Sequence, residues 1–279
     1  MLITEKIMTS FHLHLVSDST GETISLIARA CMVLFDKAKP IEHLWSMVRK
    51  AEHVEQLTDN LKENKGIVLY TLVDADIREK LEENCSKLGI PCISVLDPLI
   101  SALGTYLGAK IQPIPGQQHA MNADYFDRIE AMQYVLSHDD GQSTRDLERA
   151  DIVLVGVSRT SKTPTCIYLA NRGIKAANVP IVPECPIPED LFNISNPLVV
   201  GLIKDAKRLI EIRRQRLKFL NQDENTDYVN PDLVNEEIKD SRKLFLKCGW
   251  PIINVSRSSI EETAATIIQM LNKRREDES

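Results

Sequence analysis

Short apolar runs at residues 11–16, 67–73, 92–96, 152–157, 179–182, 198–203 and 252–255 recur between longer segments whose apolar residues repeat with helical period. No other feature of the chain constrains its fold as tightly. Runs of this length, buried on both faces and separated by helices, specify β/α units around largely parallel sheets. Residues 41–48 read as one more strand, interrupted by polar insertions. The chain has 279 residues, 43% of them hydrophobic, which at roughly 100–200 residues per domain suits two modest domains. The sheet pattern lapses where a Pro/Gly/Gln stretch at 112–119 gives way to a charged segment at 122–149. The expected organisation is therefore an N-terminal α/β domain over 1–120, a helical connection over 121–150, and a C-terminal nucleotide-binding domain over 151–279 that is P-loop kinase-like. Both halves open with a strand leading into a turn rich in Ser, Thr and Gly.

A net charge of −6 with acids and bases interspersed argues against nucleic acid as the partner, because phosphate-backbone binding leaves a basic footprint. The cysteines at 31, 85, 92, 166, 185 and 248 form no C-x-x-C pair and no Cys/His cluster of zinc-ligand spacing, so reduced thiols are expected. No run approaches the ~18 apolar residues of a membrane span, and the N-terminus lacks a secretory pattern. A cytoplasmic location with no membrane partner is the expectation.

The segment from Asp151 to Thr165 carries most of the chemical information. A buried strand runs into Gly156, Val157, Ser158, Arg159, Thr160, Ser161, Lys162 and Thr163, with Pro164 placed for the first turn of a helix. In the pattern G-x-x-x-x-G-K-[S/T], backbone N–H groups and a helix N-terminus meet a phosphate, lysine neutralises it, and the hydroxyl binds magnesium. Gly156, Lys162 and Thr163 fall at that spacing, and Thr163 is the candidate Mg²⁺ ligand. Ser161 replaces the second glycine, which restricts the backbone at that point. The alternative is an ordinary βα turn with a solvated Lys162.

Other segments support or dilute this reading. If Leu209 marks the buried face of a helix over 206–220, Arg213, Arg216 and Leu220 share it. Buried guanidinium groups call for anions, so Arg213 and Arg216 are candidates for phosphate, with core carboxylates or snorkelling as the alternative. His138, Asp139 and Asp140 precede Gly141. They are candidates to take a proton from a hydroxyl or hold magnesium, although Asp-Asp-Gly is also ordinary turn chemistry. Ser19 and Glu22 read as a capping box for a helix over 24–35, and Ser258 to Glu262 as the cap of a terminal helix over 260–273. The Pro-rich segment 180–188 reads as a rigid connection, and Cys185 within it as chemically inert.

Taken together, the blocks HLVSDSTGET (14–23), DYFDRIEA (124–131), HDDG (138–141), GVSRTSKTP (156–164) and LIEIRRQRL (209–217) resemble the bacterial pyruvate, phosphate dikinase regulatory protein family. The resemblance spans nearly the whole chain. It implies a bifunctional serine/threonine kinase and phosphorylase. Such a protein uses ADP to phosphorylate a threonine of pyruvate, phosphate dikinase, and uses inorganic phosphate to remove that group as pyrophosphate. Relatives that act on phosphoenolpyruvate synthase tend to carry Cys-Gly where this chain has Thr160 and Ser161, so the dikinase is the expected partner. The resemblance further implies a homodimer. Within it Lys162 would bind phosphate oxygens, and Asp139 or Asp140 would orient the threonine hydroxyl. Two competing readings are a P-loop kinase using ATP on a small metabolite and a nucleotide sensor without turnover.

Overall fold

A computed structural model describes residues 10–108, 123–141, 146–183, 185–223 and 226–277. The stretch at 112–119 and Glu184 of the Pro-rich segment lie outside the described residues. The chain divides into two compact units, Met1–Ala120 and Met121–Ser279.

In the first unit, β1 (Ser10–Ser17), α1 (Glu22–Met32), β2 (Lys39–Trp45), α2 (Ala51–Glu63), β3 (Gly66–Thr71), α3 (Ala75–Leu88), β4 (Cys92–Ser94) and α4 (Asp97–Leu107) alternate along the chain. All strand pairs are parallel, in the order β2-β1-β3-β4. Successive side chains of a strand face opposite ways, and the core divides accordingly. Leu13 and Leu15 pack with Ile24 and Ala28 of α1. Val16, Val68 and Tyr70 pack with Val54, Leu57 and Leu61 of α2 and with Leu81 of α3. The expected capping box at the start of α1 is absent: Gly21, at φ 83°, is the N-cap and no side chain caps it. Instead the Ser19 N–H donates to Ser17 Oγ. Buried Asp18 turns away from the helix, its Oδ2 accepting from the Val73 N–H at 2.9 Å. The carboxylate of Asp18 thus ties the turn after β1 to the end of β3.

The second unit comprises α5 (Ala123–Ser137), a 3-10 turn at Asp139–Gly141, β5 (Ile152–Val157), α6 (Lys162–Ala170), β6 (Ala176–Ile181), α7 (Asp190–Asn193), β7 (Leu198–Ile203), α8 (Ala206–Phe219), α9 (Pro231–Cys248), β8 (Ile252–Asn254) and α10 (Ile260–Asp277). Its strands are also parallel, in the order β6-β5-β7-β8. Every residue of β5 and β7 is buried, as uninterrupted apolar runs require. Ile152, Leu154, Val200 and Leu202 face α6 and α10, whereas Val153, Val155 and Val199 pack with Phe245 of α9. The cap expected for the terminal helix is present, with the Ser259 N–H donating to Glu262 and the Glu262 N–H to Ser259 Oγ.

The two units share one winding. The chain passes from the first strand to a neighbour on one side, then returns to the other side of the first strand. In open parallel sheets the crevice at such a reversal, beyond the carboxyl ends of the strands, is where ligands bind. In the second unit it lies between β5 and β7. Those strands approach closely there, since a Cβ on Gly156 would sit 2.5 Å from the Leu202 carbonyl oxygen.

The arginine stripe requires a correction. The buried residues of α8 are Leu209, Ile210, Arg213 and Leu217. Ile210 and Leu217 draw the buried arc to one side, which leaves Arg216 exposed, while Leu220 lies past the helix end.

Candidate functional site: a cation-lined cavity at the β5–β7 crevice

The turn after β5 joins the strand to α6 without the second glycine of the pattern. Ser161 takes the left-handed conformation, φ 66°, that the missing glycine would have supplied, and Arg159 is also left-handed at φ 74°. Thr160 is fully buried, and its Oγ1 donates to the Val157 carbonyl at 2.9 Å. A tight turn results, and α6 starts at Lys162. Pro164 sits in the first turn of that helix, where its missing N–H breaks no hydrogen bond.

Lys162 is 5% exposed, and its Nζ donates to the carbonyls of Gly156 at 2.9 Å and Val157 at 3.2 Å. Burial pushes the ammonium down to about 8, against the upward pull of Asp140 and Asp139. A lysine held in this way is a cation short of negative charge. A cavity of about 530 Å³ opens beside it, lined by Asp140, Ser158, Arg159, Ser161, Lys162, Thr163 and Lys204 among others.

The HDDG segment and the turn meet. Thr163 Oγ1 donates to Asp139 Oδ1 at 2.8 Å. Asn178 of β6 donates its Nδ2 to the same carboxylate oxygen and, at 3.2 Å, to Thr163 Oγ1, while its own Oδ1 is buried without a partner. Asp140, exposed and left-handed at φ 48°, lines the cavity. His138 behaves differently. Its ring is buried against Tyr134, with centroids 3.9 Å apart, and Nδ1 lies 2.9 Å from the Tyr134 carbonyl. His138 therefore anchors the segment to α5, and its backbone carbonyl accepts from the Asn178 N–H.

Arg213 is 1% exposed and pairs with Glu237 at 2.7 Å, with its guanidinium carbon 4.4 Å from the centre of the Tyr228 ring. It also donates to the carbonyls of Tyr228 and Ser158. Of the two readings of a buried arginine, the core carboxylate is the one found here. Arg213 braces the phosphate turn from behind; neither it nor exposed Arg216 lines the cavity.

Two residues escaped the sequence reading. Asn178, which bonds Asp139 and Thr163, is a polar residue inside an otherwise apolar strand, and Lys204, which lines the cavity, is a cation directly after another. Lys204 is 6% exposed, and burial, with Arg208 nearby, lowers its pKa. Asn178 interrupts an apolar run and Lys204 ends one, a signal that motif spacing does not register.

A family model described as kinase/pyrophosphorylase matches residues 13–268. The chain belongs to this kinase/pyrophosphorylase family. Its relatives include proteins named as pyruvate, phosphate dikinase regulatory proteins in Paramagnetospirillum magneticum, 53% identical over 95% of this chain and 86% of the relative, and in Caulobacter vibrioides, 52% identical over 95% and 84%. The counterpart from Erythrobacter litoralis is 49% identical over 96% of both chains. The kinase/pyrophosphorylase match takes in both units, including the whole β5–β7 crevice and every residue of the cavity. Among the described residues no helix is long and apolar enough to cross a membrane.

Proposed function

We propose that this chain regulates pyruvate, phosphate dikinase by phosphoryl transfer in both directions. In one, the terminal phosphoryl of ADP passes to a threonine hydroxyl of the dikinase and AMP leaves. In the other, inorganic phosphate attacks that phosphothreonine and pyrophosphate leaves. The observation that carries the proposal is the buried Lys162, set in a left-handed turn over a 530 Å³ cavity at the β5–β7 crevice. Both directions move a phosphoryl group whose developing charge must be met by fixed cations and N–H donors. Lys162 would leave its carbonyl partners for the phosphate oxygens, and the free N–H groups at the start of α6 would add to it.

The residues present fit Mg²⁺. Thr163 and Asp139 place a hydroxyl and a carboxylate in contact, and Mg²⁺ is held by one or two carboxylates with substrate phosphates completing its shell. Among the described residues no group of three or more His, Cys, Asp or Glu could hold a metal alone, consistent with an ion that arrives with its phosphates. Bound there, Mg²⁺ would neutralise phosphate oxygens. Asp139 is engaged with Thr163 and Asn178, so the exposed carboxylate of Asp140 is the better placed to accept the threonine proton. In the reverse direction it would orient inorganic phosphate.

The test is incubation of the purified protein with phosphohistidine-charged dikinase and either ADP or ATP, with phosphate mapped on the target by mass spectrometry. ADP-dependent phosphothreonine is expected, and it disappears when phosphate is added in place of ADP. Transfer from ATP to a small metabolite, or nucleotide binding without transfer, would overturn the proposal. Transfer to phosphoenolpyruvate synthase alone would keep the chemistry and change the partner.

A further inference from the structure

A buried lysine ordinarily has a partner, because an ammonium taken out of water without one is costly. Lys162 has two carbonyls. Lys204 lies on the other strand of the crevice, directly after β7, and is 6% exposed. Among the described residues its ammonium makes no hydrogen bond and no ion pair. The charged neighbour that acts on it most is Arg208, of the same sign. The cavity that Lys204 lines also holds Lys162 and Arg159, with Asp140 as its carboxylate. The charge balance is thus three cations to one anion in a space of about 530 Å³.

β5 and β7 run parallel with Val155 opposite Gly201, so both strands deliver their carboxyl ends to the same rim. The phosphate turn grows from one end and Lys204 from the other. From this arrangement we infer that Lys204 forms a second oxyanion subsite in the cavity, which takes the second phosphate of a diphosphate while the turn and Lys162 hold the first. The inference rests on the phosphate reading of the same cavity and adds to it the subsite on the β7 side. Its ligand class is a phosphate oxyanion adjacent to one already bound, as in inorganic pyrophosphate or the diphosphate of a nucleotide. A diphosphate is consumed in one direction and formed in the other, so the loss of Lys204 affects both reactions.

The experiment titrates inorganic pyrophosphate into wild-type protein, Lys204→Met and Lys204→Arg by calorimetry. In parallel, ¹⁵N-labelled lysine signals of the wild type are followed by NMR as pyrophosphate is added. Methionine keeps the volume and removes a buried charge, so folding is expected to hold. A charge-assisted hydrogen bond contributes enough that its removal weakens binding by roughly 10- to 100-fold. Arginine should restore affinity to within a few-fold, a rescue that a purely structural role would not give. The Lys204 Nζ signal of the wild type should shift on saturation whatever the variants do. Unweakened binding by Lys204→Met together with a static Lys204 signal would overturn the subsite while leaving the phosphate cavity in place. Absence of pyrophosphate binding by the wild type would remove the cavity reading and the subsite together.

Discussion

Lys162 offers a measurement in which the buried charge reports on itself. Burial lowers its pKa from the ordinary 10.5 to about 8. Between those values the unfolded chain carries the proton and the folded one does not, so stability rises with pH across that window and the charge is destabilising below it. At about 1.4 kcal/mol per unit the full span is about 3 kcal/mol, of which about 2 kcal/mol falls between about pH 7 and about pH 9.5. Lys162→Met cannot titrate, and groups that do not interact with the lysine cancel when the two proteins are compared at each pH. The carbonyls of Gly156 and Val157 lose a donor in the variant, which changes the offset between the curves and leaves their slope. The chain has two tryptophans, Trp45 in the first unit and Trp250 in the second. Urea denaturation followed by Trp250 fluorescence in a Trp45→Phe background therefore reads the unit that holds the lysine. Wild-type stability should gain about 2 kcal/mol on the variant over that pH range. A flat or falling difference would mean that the ammonium is not desolvated, and the account of the cavity as short of negative charge would fail with it.

Three further outcomes follow from the geometry. Glu237→Ala should lower the stability of the second unit by about 3–5 kcal/mol by denaturant titration, because it strands the guanidinium of Arg213 in the core; a loss below about 1 kcal/mol would place that pair in solvent. Ser161→Gly should leave stability unchanged or raise it by up to about 1 kcal/mol in thermal melts, since a left-handed non-glycine residue costs about 1–2 kcal/mol and glycine's extra chain entropy returns roughly half of that; a marked loss would show that the left-handed turn is not the native one. Burial, opposed by its hydrogen bond to the Asn64 carbonyl, holds His14 below its ordinary 6.5, and its Nδ1 accepts from Trp45 Nε1 at 3.3 Å. The unfolded chain therefore takes up the proton first, so the first unit should lose stability as pH falls through 6.5. Trp45 fluorescence in urea would read this, and the same acid dependence in His14→Gln would assign it elsewhere.

Strand positions and the turn between β5 and α6 were legible because they rest on local chemistry. A run such as 152–157 can bury itself in few ways, and Gly156, Lys162 and Thr163 are fixed by spacing along one turn. The polar insertions in 41–48 did not prevent a strand, since β2 is an edge and several of its residues stay exposed. What failed to show depends on partners distant in sequence. Arg213 reads alike whether it meets a phosphate or Glu237, and only the packing of α8 on α9 decides. The capping box expected of Ser19 and Glu22 gave way to a turn in which Asp18 accepts from the distant Val73 N–H. His138 lies within the same four-residue block as Asp139 and Asp140, yet the first is buried under Tyr134 while Asp140 reaches the cavity. Asn178 and Lys204 gain meaning only once β6 and β7 are known to flank β5.

The recurrence of one strand order in both units, and the carboxylate of Asp18 in the first, bear on how such a chain divides its labour. At the crevice of the second unit the turn and the end of β7 present cations to a cavity. At the corresponding crevice of the first unit the anion is already there, tethered to the chain and bonded to the Val73 N–H. Any anion entering there would meet that fixed negative charge. One architecture has thus been set twice, with a cavity rich in cations at one crevice and a carboxylate tied to the backbone at the other.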